Sequence, residues 1–324
     1  MTAGPDVSVP LPLLGPSALA QRARAALDDA VAKRMPVLIV AEDGSRTEAV
    51  AMALHARTTP DEPFVSVDCA AGDRAASDRR LFGEPADRLP SDLESAGEGA
   101  ALLEAGSGVL FLDHVCELPA STQRRLARVM RDGELRTRAS ADPVTVAFRL
   151  VASCPADLEV EVRDGRFHPE LARRFGSSRL IVPLLRQRPE DLAALLAALV
   201  GDAVGTPRTF TQPAVTVLAA LPWPGNIDEL ARVLERIVAH AGPVVRQEDV
   251  LADLPIEGAF AKLDLTANLR DARRRFEREY IAAVLERHQW RMSDAARALG
   301  IERANLYRKT RQLGIARVSR PETS

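Results

Sequence analysis

Short apolar runs alternate with amphipathic stretches through the first half of the chain. The runs cover residues 36–40, 64–67, 109–113 and 148–153, and each is almost continuously apolar between Gly, Pro or charged residues. Runs of this kind are typical of strands that are buried on both faces of a parallel sheet. Residues 17–33, 47–56 and 119–131, which lie before or between these runs, have helical character. The alternation predicts an α/β core with a parallel sheet.

The regions on either side of this core have other patterns. Residues 1–14 are rich in Pro and are predicted to be irregular. In the first helix, Leu19, Ala23, Leu27 and Val31 fall on one apolar stripe. After the core, further helices are predicted at residues 189–204, 212–221, 227–241 and 246–254.

Residues 292–315 have the pattern of two short helices joined by a tight turn. Ser293 can cap the first helix, which carries an apolar face of two alanines and a leucine, and Gly300 supplies the turn. The second helix directs Leu306 and Leu313 inward and is rich in Arg, Lys and Asn on its outer face. This arrangement indicates a helix-turn-helix, whose second helix enters the major groove of DNA. The alternative is a small helical cap with a solvated basic face.

The same stretch resembles the Fis-type helix-turn-helix. The matching residues are Ala295-Ala296, Leu299-Gly300-Ile301, Arg303, Leu306-Tyr307-Arg308-Lys309 and Leu313-Gly314-Ile315. The resemblance implies binding to double-stranded DNA, in which Arg and Asn read base edges and Lys neutralises phosphate. The implied contact residues are Arg291, Ser293, Arg303, Asn305, Arg308 and Lys309.

The helix before this motif carries a wide apolar stripe, formed by Leu269, Ala272, Phe276, Tyr280 and Val284. In Fis-type modules such a helix pairs with its twin, so the resemblance implies a homodimer or higher oligomer on a palindromic site. Charge agrees with DNA binding. Residues 270–320 contain 14 Lys and Arg against 6 Asp and Glu, whereas the remainder contains 29 against 39.

The loop after the first strand is the usual place for a phosphate in an α/β core. A working phosphate loop needs a Lys that reaches the β- and γ-phosphates and small residues that let the backbone wrap around them. Here Gly44 and Ser45 are followed by Arg46 and Thr47, with Asp43 upstream. Thr47 stands in the lysine position, Arg46 in a glycine position, and Asp43 adds negative charge. We therefore expect a poor phosphate site.

The apolar run at 109–113 ends in an acid, which is the Walker B pattern. In that pattern the Asp holds magnesium and the next residue, normally Glu, polarises the attacking water. Here Asp113 is followed by His114. An imidazole can act as a general base, but the altered loop upstream makes this the weaker alternative.

Together these residues resemble the AAA+ domain of bacterial enhancer-binding proteins, the ATPases that activate sigma-54 RNA polymerase. The resemblance runs from Leu14 to Ile315. Its landmarks are Asp68-Cys69-Ala70-Ala71, Leu81-Phe82-Gly83, Phe111-Leu112-Asp113, Gly165-Arg166-Phe167, Pro183-Leu184-Leu185-Arg186-Gln187-Arg188, Glu190-Asp191-Leu192, Trp223-Pro224-Gly225-Asn226 and Glu229-Leu230. It implies a lead-in (1–14), an AAA+ α/β core of P-loop type with a parallel sheet (15–186), a helical lid (187–256), a linker (257–267), an all-α Fis-type domain (268–318) and a tail (319–324).

The departures from the family's pattern involve most of its functional groups. The Walker B Glu is replaced by His114, the sensor Asn by Pro155, the first arginine finger by His168 and the sensor Arg of the lid by Asp228, while the second arginine finger is kept as Arg174. The loop that contacts sigma-54 is replaced by residues 84–92, which lack its Phe-Thr tip.

Removal of a single such catalytic group typically costs orders of magnitude in rate. The resemblance with these departures therefore implies a pseudo-ATPase with no required cofactor. Weak binding of ATP and Mg²⁺ stays open, because Asp113, Arg174 and the loop amides remain.

We therefore expect a sequence-specific, dimeric transcription regulator whose degenerate AAA+ domain serves assembly or contact with a partner. The partner could be RNA polymerase or a paralogous AAA+ regulator. Two alternatives stay open: an ATP-hydrolysing sigma-54 activator, and an inactive subunit that restrains an intact paralogue.

Composition restricts the remaining possibilities. The 324 residues, 46% of them hydrophobic, suffice for two or three domains with real cores. No signal peptide or membrane-spanning run is evident, and three cysteines fit a reduced cytoplasm. Cys69, Cys116 and Cys154 each follow a strand, with His114 nearby, and we expect ordinary strand-end residues in preference to a metal site.

Overall fold

The computed structural model describes residues 9–72, 75–83, 93–137, 142–155, 158–176, 178–204 and 208–253, together with residues 278, 281, 285, 292, 296, 303–313 and 315. The chain divides into two compact units, Met1–Asp253 and Leu254–Ser324. The substituted loop at 84–92 and the predicted linker lie outside the described residues.

The first unit is built from alternating helices and strands. They are, in chain order, α1 (Ala18–Lys33), β1 (Val37–Val40), α2 (Thr47–Thr58), β2 (Phe64–Asp68), α3 (Ala76–Phe82), β3 (Ser95–Ala96), α4 (Ala101–Glu104), β4 (Val109–Asp113), α5 (Ala120–Asp132), β5 (Glu134–Thr137), β6 (Val144–Thr145), β7 (Arg149–Cys154), α6 (Leu158–Arg163), α7 (Pro169–Phe175), β8 (Arg179–Ile181), α8 (Leu192–Val204), β9 (Thr209–Phe210), α9 (Gln212–Ala219), α10 (Asn226–His240), β10 (Val244–Val245) and α11 (Gln247–Asp253). Short 3-10 helices occupy Leu11–Leu13, Val115–Glu117, Leu185–Gln187 and Pro189–Asp191.

A five-stranded sheet with the order β2-β4-β7-β1-β8 forms the centre of this unit. All its neighbouring strands are parallel. Side chains alternate between two buried clusters: Val109 and Phe111 of β4 belong to one, and Leu110 and Leu112 belong to the other. Successive side chains of a strand point to opposite faces, so apolar cover on both faces requires a continuous apolar run. The predicted parallel α/β fold is confirmed.

The helices α8 to α11 form a separate helical layer after the sheet. Helix α10 buries Ile227, Leu230, Leu234 and Ile237, which recur at the spacing of one helical face. Its partners include α8 and α11, and α9 packs on both of those helices. The helical lid predicted from the sequence is therefore present.

Two details at the start of the unit differ from the predictions. Residues 1–14 are not irregular throughout, because Leu11–Leu13 forms a 3-10 helix and Leu13 is fully buried against α1, α2 and the sheet. The buried stripe of α1 is Ala20, Ala23, Leu27 and Ala30, so Leu19 and Val31 lie at its margin. The predicted stripe used a spacing of four residues throughout, whereas a helix turns every 3.6 residues. Ser17 caps α1, since its Oγ accepts from the Ala20 N–H at 3.0 Å.

The second unit is helical wherever secondary structure is described. Its buried cluster contains Ile281, Leu285, Ala296 and Leu306, with Leu313 partly buried against it. The C-terminal helix (Arg303–Leu313) therefore directs its two leucines inward, as the sequence predicted. The apolar stripe of the preceding helix lies outside the described residues. Among the residues that the structure describes, no helix is both long and apolar enough to cross a membrane.

A buried polar network joins the start of the core to the start of the lid. The carboxylate of Asp191 accepts from the Ser17 N–H at 2.7 Å and from the Ser17 hydroxyl at 2.6 Å. Arg188 lies 3.8 Å from the same carboxylate, and both side chains are almost completely buried. Burial lowers the pKa of Arg188, which makes the partner carboxylate more important. Gly15 packs so closely that a Cβ there would lie 2.2 Å from Asp191.

We predict that Asp191→Ala lowers the free energy of unfolding by about 3–5 kcal/mol, because it leaves the buried Arg188 without a counter-charge. Urea denaturation followed by circular dichroism measures this change. The adjacent, exposed Glu190 provides the control, and Glu190→Ala should change the same free energy by less than about 0.5 kcal/mol. Equal stability of the two variants would show that the network does not stabilise the junction.

Candidate nucleotide pocket and DNA-binding helix

The loop between β1 and α2 lies where the fold places a phosphate site. In the sheet, β1 lies between β7 and β8, and β4 lies on the other side of β7. Because the strands are parallel, the carboxyl ends of β1, β7 and β4 lie along the same edge of the sheet. The Ala41 N–H donates to the Cys154 carbonyl at 3.0 Å and holds the loop beside β7. Gly44 and Arg46 both have left-handed backbone conformations, with φ of 74° and 55°. Arg46 thus adopts a conformation that Gly accepts without strain.

A cavity of about 490 Å³ lies over this loop. Its lining is rich in carboxylates, which come from Glu42, Asp43, Glu48, Asp113 and Asp228. Among the described residues, Arg46 is the one Arg and His114 the one His in this lining. This distribution disfavours a polyanion such as a nucleotide phosphate chain.

The position that the family resemblance assigns to a lysine carries a hydroxyl group that contacts Asp113. Thr47 Oγ1 donates to Asp113 Oδ1 at 3.0 Å. The buried Ser153 hydroxyl donates to the same oxygen and accepts from the His114 N–H at 2.9 Å. Asp113 is therefore held by two hydroxyl groups of the protein itself.

His114 lies among three carboxylates. Its Nε2 is 3.4 Å from Asp43, and its Nδ1 is 3.6 Å from Asp68 and 3.5 Å from Asp113. The residue has a positive φ of 54°, which directs the chain away from β4 into the next 3-10 helix. None of these three separations is a hydrogen bond, and the Nδ1 atom is buried without a hydrogen-bond partner among the described residues.

Two of the substituted positions contact each other. Arg46 Nε lies 2.7 Å from Asp228 Oδ1, an ion pair that joins the loop to the first turn of α10. Along the sequence, Arg46 in a glycine position and Asp228 in the position of the sensor Arg are two separate departures from the family's pattern. The two are instead one contact, and the opposite signs of their charges were the only signal of it in the sequence.

Other residues assigned to the pocket occupy different places. Pro155 lines the cavity, and Ser45 is buried in the loop. Arg174 and His168 lie on or just before α7 and do not belong to the described lining of the cavity. The role of Arg174 toward a neighbouring subunit, which the resemblance implies, stays a prediction.

The cysteines do not form a metal site within the described part of the chain. Burial raises the pKa of the Cys69 thiol, and a hydrogen bond with Cys154 raises that of Cys116. Both effects disfavour the thiolate that binds metals. The described residues contain no group of three His, Cys, Asp or Glu side chains that could hold a metal ion.

The C-terminal helix carries four of the six residues predicted to contact DNA, namely Arg303, Asn305, Arg308 and Lys309. Arg308 is exposed, and its Nη2 donates to Asn305 Oδ1 at 3.0 Å. Lys309 is half-buried on the next position. Arg303 begins this helix. Arg291 and Ser293 lie outside the described residues, so their contacts stay predictions, as do those of the other four.

These features define an α/β protein of P-loop type with a helical lid and a helical C-terminal unit. Comparison with known proteins identifies the parts. Residues 13–180 match the sigma-54 interaction domain, residues 186–261 the AAA+ ATPase lid domain, and residues 272–315 the bacterial regulatory proteins of the Fis family.

Three relatives and one solved structure show the extent of the similarity. The nitrogen assimilation regulatory protein NtrX of Azorhizobium caulinodans is 32% identical, covering 96% of this chain and 70% of that protein. PilR of Pseudomonas aeruginosa is 32% identical over 94% of this chain and 70% of its own length, and AtoC of Escherichia coli is 31% identical over 86% and 62%. NtrX of Brucella abortus, solved in complex with ATP, has a TM-score of 0.66 at 29% identity and covers 93% of this chain and 69% of that one.

The chain therefore belongs to the family of sigma-54 enhancer-binding transcription regulators, with an AAA+ domain, its lid and a Fis-type helix-turn-helix. It spans between 43% and 70% of the lengths of the curated relatives that it matches.

We predict that Ser153→Ala lowers the free energy of unfolding by about 1–3 kcal/mol, because it leaves the His114 N–H without its acceptor and removes a donor from Asp113. Thermal and urea denaturation measure the loss. Ser121→Ala, at an exposed position early in α5, is the matched control and should have little effect. If both variants are equally stable, the hydroxyl of Ser153 does not organise the end of β4.

Proposed function

We propose that this chain is a DNA-binding transcription regulator whose AAA+ domain does not hydrolyse ATP. The observation that carries the proposal is the state of the cavity over the phosphate loop. The guanidinium of Arg46 is paired with Asp228, and the hydroxyl of Thr47 is bonded to Asp113. Both groups nearest to the expected phosphates thus already have partners within the chain.

Electrostatics argues against a triphosphate in this cavity. ATP would bring several negative charges close to Asp43, Asp113 and Asp228, with Arg46 as the only guanidinium in the lining. Like charges in a partly desolvated cleft repel strongly, because the effective dielectric is lower there than in bulk water. The residues present do not fit ATP and Mg²⁺ in the manner that the family's pattern implies.

The groups for hydrolysis are also absent from their expected positions. Pro155 has no N–H to donate. His114 lies near three carboxylates, and the Asp113 carboxylate that precedes it is already bonded to Thr47 and Ser153. Loss of one preorganised group typically reduces a rate by orders of magnitude, and here several are lost together.

Regulation would then run through DNA and protein contacts. The Fis-type domain reads a palindromic site as a dimer, with Arg303, Asn305 and Arg308 at base edges and Lys309 on phosphate. Residues 84–92 contain no Phe-Thr tip, so contact with polymerase would not use the family's sigma-54 loop.

A second candidate is an ATP-dependent sigma-54 activator. The observation in its favour is the relative from Brucella abortus, whose structure was solved in complex with ATP. A third candidate, an inactive subunit that restrains an intact paralogue, uses the same altered cavity and differs only in its partner. Co-purification with such a paralogue would distinguish it.

We predict no saturable binding of a fluorescent ATP analogue with Mg²⁺ and no phosphate release from the purified chain. The physical reason is the acidic cavity and the internal partners of Arg46 and Thr47. A fluorescence titration and a phosphate-release assay measure the two outcomes. The variant Arg46→Gly/Thr47→Lys/Asp228→Arg, which carries the family's pattern at three positions, should bind the analogue measurably. Steady turnover by the natural chain that disappears in Asp113→Ala would instead establish the ATP-dependent activator.

We predict that Arg303→Ala weakens binding to the preferred site by about 1–3 kcal/mol and relaxes specificity at one base pair. The site is first obtained by selection from random duplexes, and affinity is then measured by fluorescence anisotropy. Lys309→Ala is the matched comparison, because loss of a phosphate contact should weaken all sequences alike and reduce the salt dependence. Unchanged affinity and footprint in Arg303→Ala would exclude this residue from the interface.

A further inference from the structure

The lid is joined directly to the phosphate loop by a set of bonds that we call the loop–lid contact, formed by residues 42–46 with residues 185–186 and 225–228. Glu42 makes a two-pronged ion pair with Arg186, with distances of 2.8 and 2.7 Å. The hydrogen bonds from Arg186 lower the pKa of Glu42, so this carboxylate stays charged. The pair connects the first loop residues after β1 with the segment that leads into the lid.

The centre of the loop–lid contact consists of backbone bonds. The Asp228 N–H donates to the Gly44 carbonyl at 3.0 Å. The buried side chain of Asn226 donates to the Asp43 carbonyl at 3.0 Å and accepts from the Leu185 N–H at 3.3 Å. A single amide side chain thus bonds to the loop on one side and to the start of the lid segment on the other.

The two backbones are in van der Waals contact at this point. A Cβ on Gly44 would lie 2.2 Å from the Gly225 carbonyl oxygen, so no side chain fits between them. Gly44 also has a φ of 74°, which most L-residues avoid. The lid and the loop therefore contact each other directly at this point.

The ion pair between Arg46 and Asp228 completes the loop–lid contact. It joins the last loop residue to the first turn of α10, and it shares Asp228 with the backbone bond to Gly44. The guanidinium of Arg46 and the carboxylate of Asp228 attract each other directly. Two positively charged side chains at these positions would repel each other unless an anion lay between them. The charges on the loop and on the lid are thus complementary to each other.

We infer that the Arg46–Asp228 ion pair holds the lid closed on the phosphate loop in the absence of nucleotide. The inference rests on the proposed function, in which the cavity binds no ATP, and adds how the position of the lid is set. An internal pair of side chains closes the domain, and lid closure becomes a constant property of the chain. Assembly or DNA binding then does not respond to nucleotide.

The Asp228 amide reports directly on lid closure, because its hydrogen bond to Gly44 must break when the lid separates. Hydrogen–deuterium exchange of the nucleotide-free, full-length chain measures this amide. Both side chains of the ion pair are partly exposed, so we expect Arg46→Ala and Asp228→Ala each to increase its exchange about two- to fivefold. In the double variant the two increases should not multiply, because each change removes the same ion pair.

Two further variants separate charge pairing from other effects. Arg46→Asp/Asp228→Arg restores opposite charges and should return exchange toward the natural rate. Arg57 and Asp28 form a matched control pair, also 2.7 Å long and partly exposed, which joins α2 to α1. Their alanine variants should leave exchange at residue 228 unchanged. Exchange of the β4 amides should be unchanged in all of these variants.

Unchanged exchange in Arg46→Ala and Asp228→Ala would overturn the inference. So would increases that multiply fully in the double variant, since the residues would then act independently, for example through the dipole of α10. Because these measurements contain neither ATP nor DNA, their outcome is separate from that of the nucleotide and DNA-binding tests.

Discussion

Burial of the central sheet on both faces is the constraint on which the first unit depends. β4 and β7 lie in the interior of the sheet and divide their side chains between two apolar clusters. Parallel strands that are covered in this way place all their carboxyl ends at one edge. Asp113, Ser153 and the loop after β1 therefore meet at that edge. The position of the cavity follows from the sheet, and its chemistry follows from the side chains that the loops add.

The chemistry at that edge is internally complementary. Asp113 is bonded to the hydroxyls of Thr47 and Ser153, and Arg46 is paired with Asp228. Substitutions that look like independent losses along the chain become contacts when the lid rests on the loop. A buried polar group without a partner costs stability. Arg46, Thr47 and Asp228 have partners within the chain, whereas Ser45 Oγ, His114 Nδ1 and His168 Nδ1 are buried without a hydrogen-bond partner among the described residues.

The family and the site support different parts of the conclusion. Membership in the family of sigma-54 enhancer-binding regulators follows from matches to its AAA+ domain, its lid and its Fis-type helix-turn-helix. The proposal that this AAA+ domain does not hydrolyse ATP rests instead on the acidic cavity and its internal bonds. The fold is kept when catalytic side chains change, because the fold depends on the apolar clusters and on junctions such as that of Ser17 with Asp191.

Local pattern was sufficient to predict four of the five strands of the central sheet, most helices, the helices of the lid and the helix that begins at Arg303, but not the edge strand β8 or the short strands outside this sheet. Apolar periodicity is a property of neighbouring residues, and burial of one face enforces it. The resemblance to the family also predicted which functional positions are replaced. It did not show the 3-10 helix that buries Leu13, because that burial depends on α2 and the sheet rather than on neighbouring residues. The contact between Arg46 and Asp228, 182 residues apart, was decided only by the tertiary structure, because only the folded chain brings the lid onto the loop.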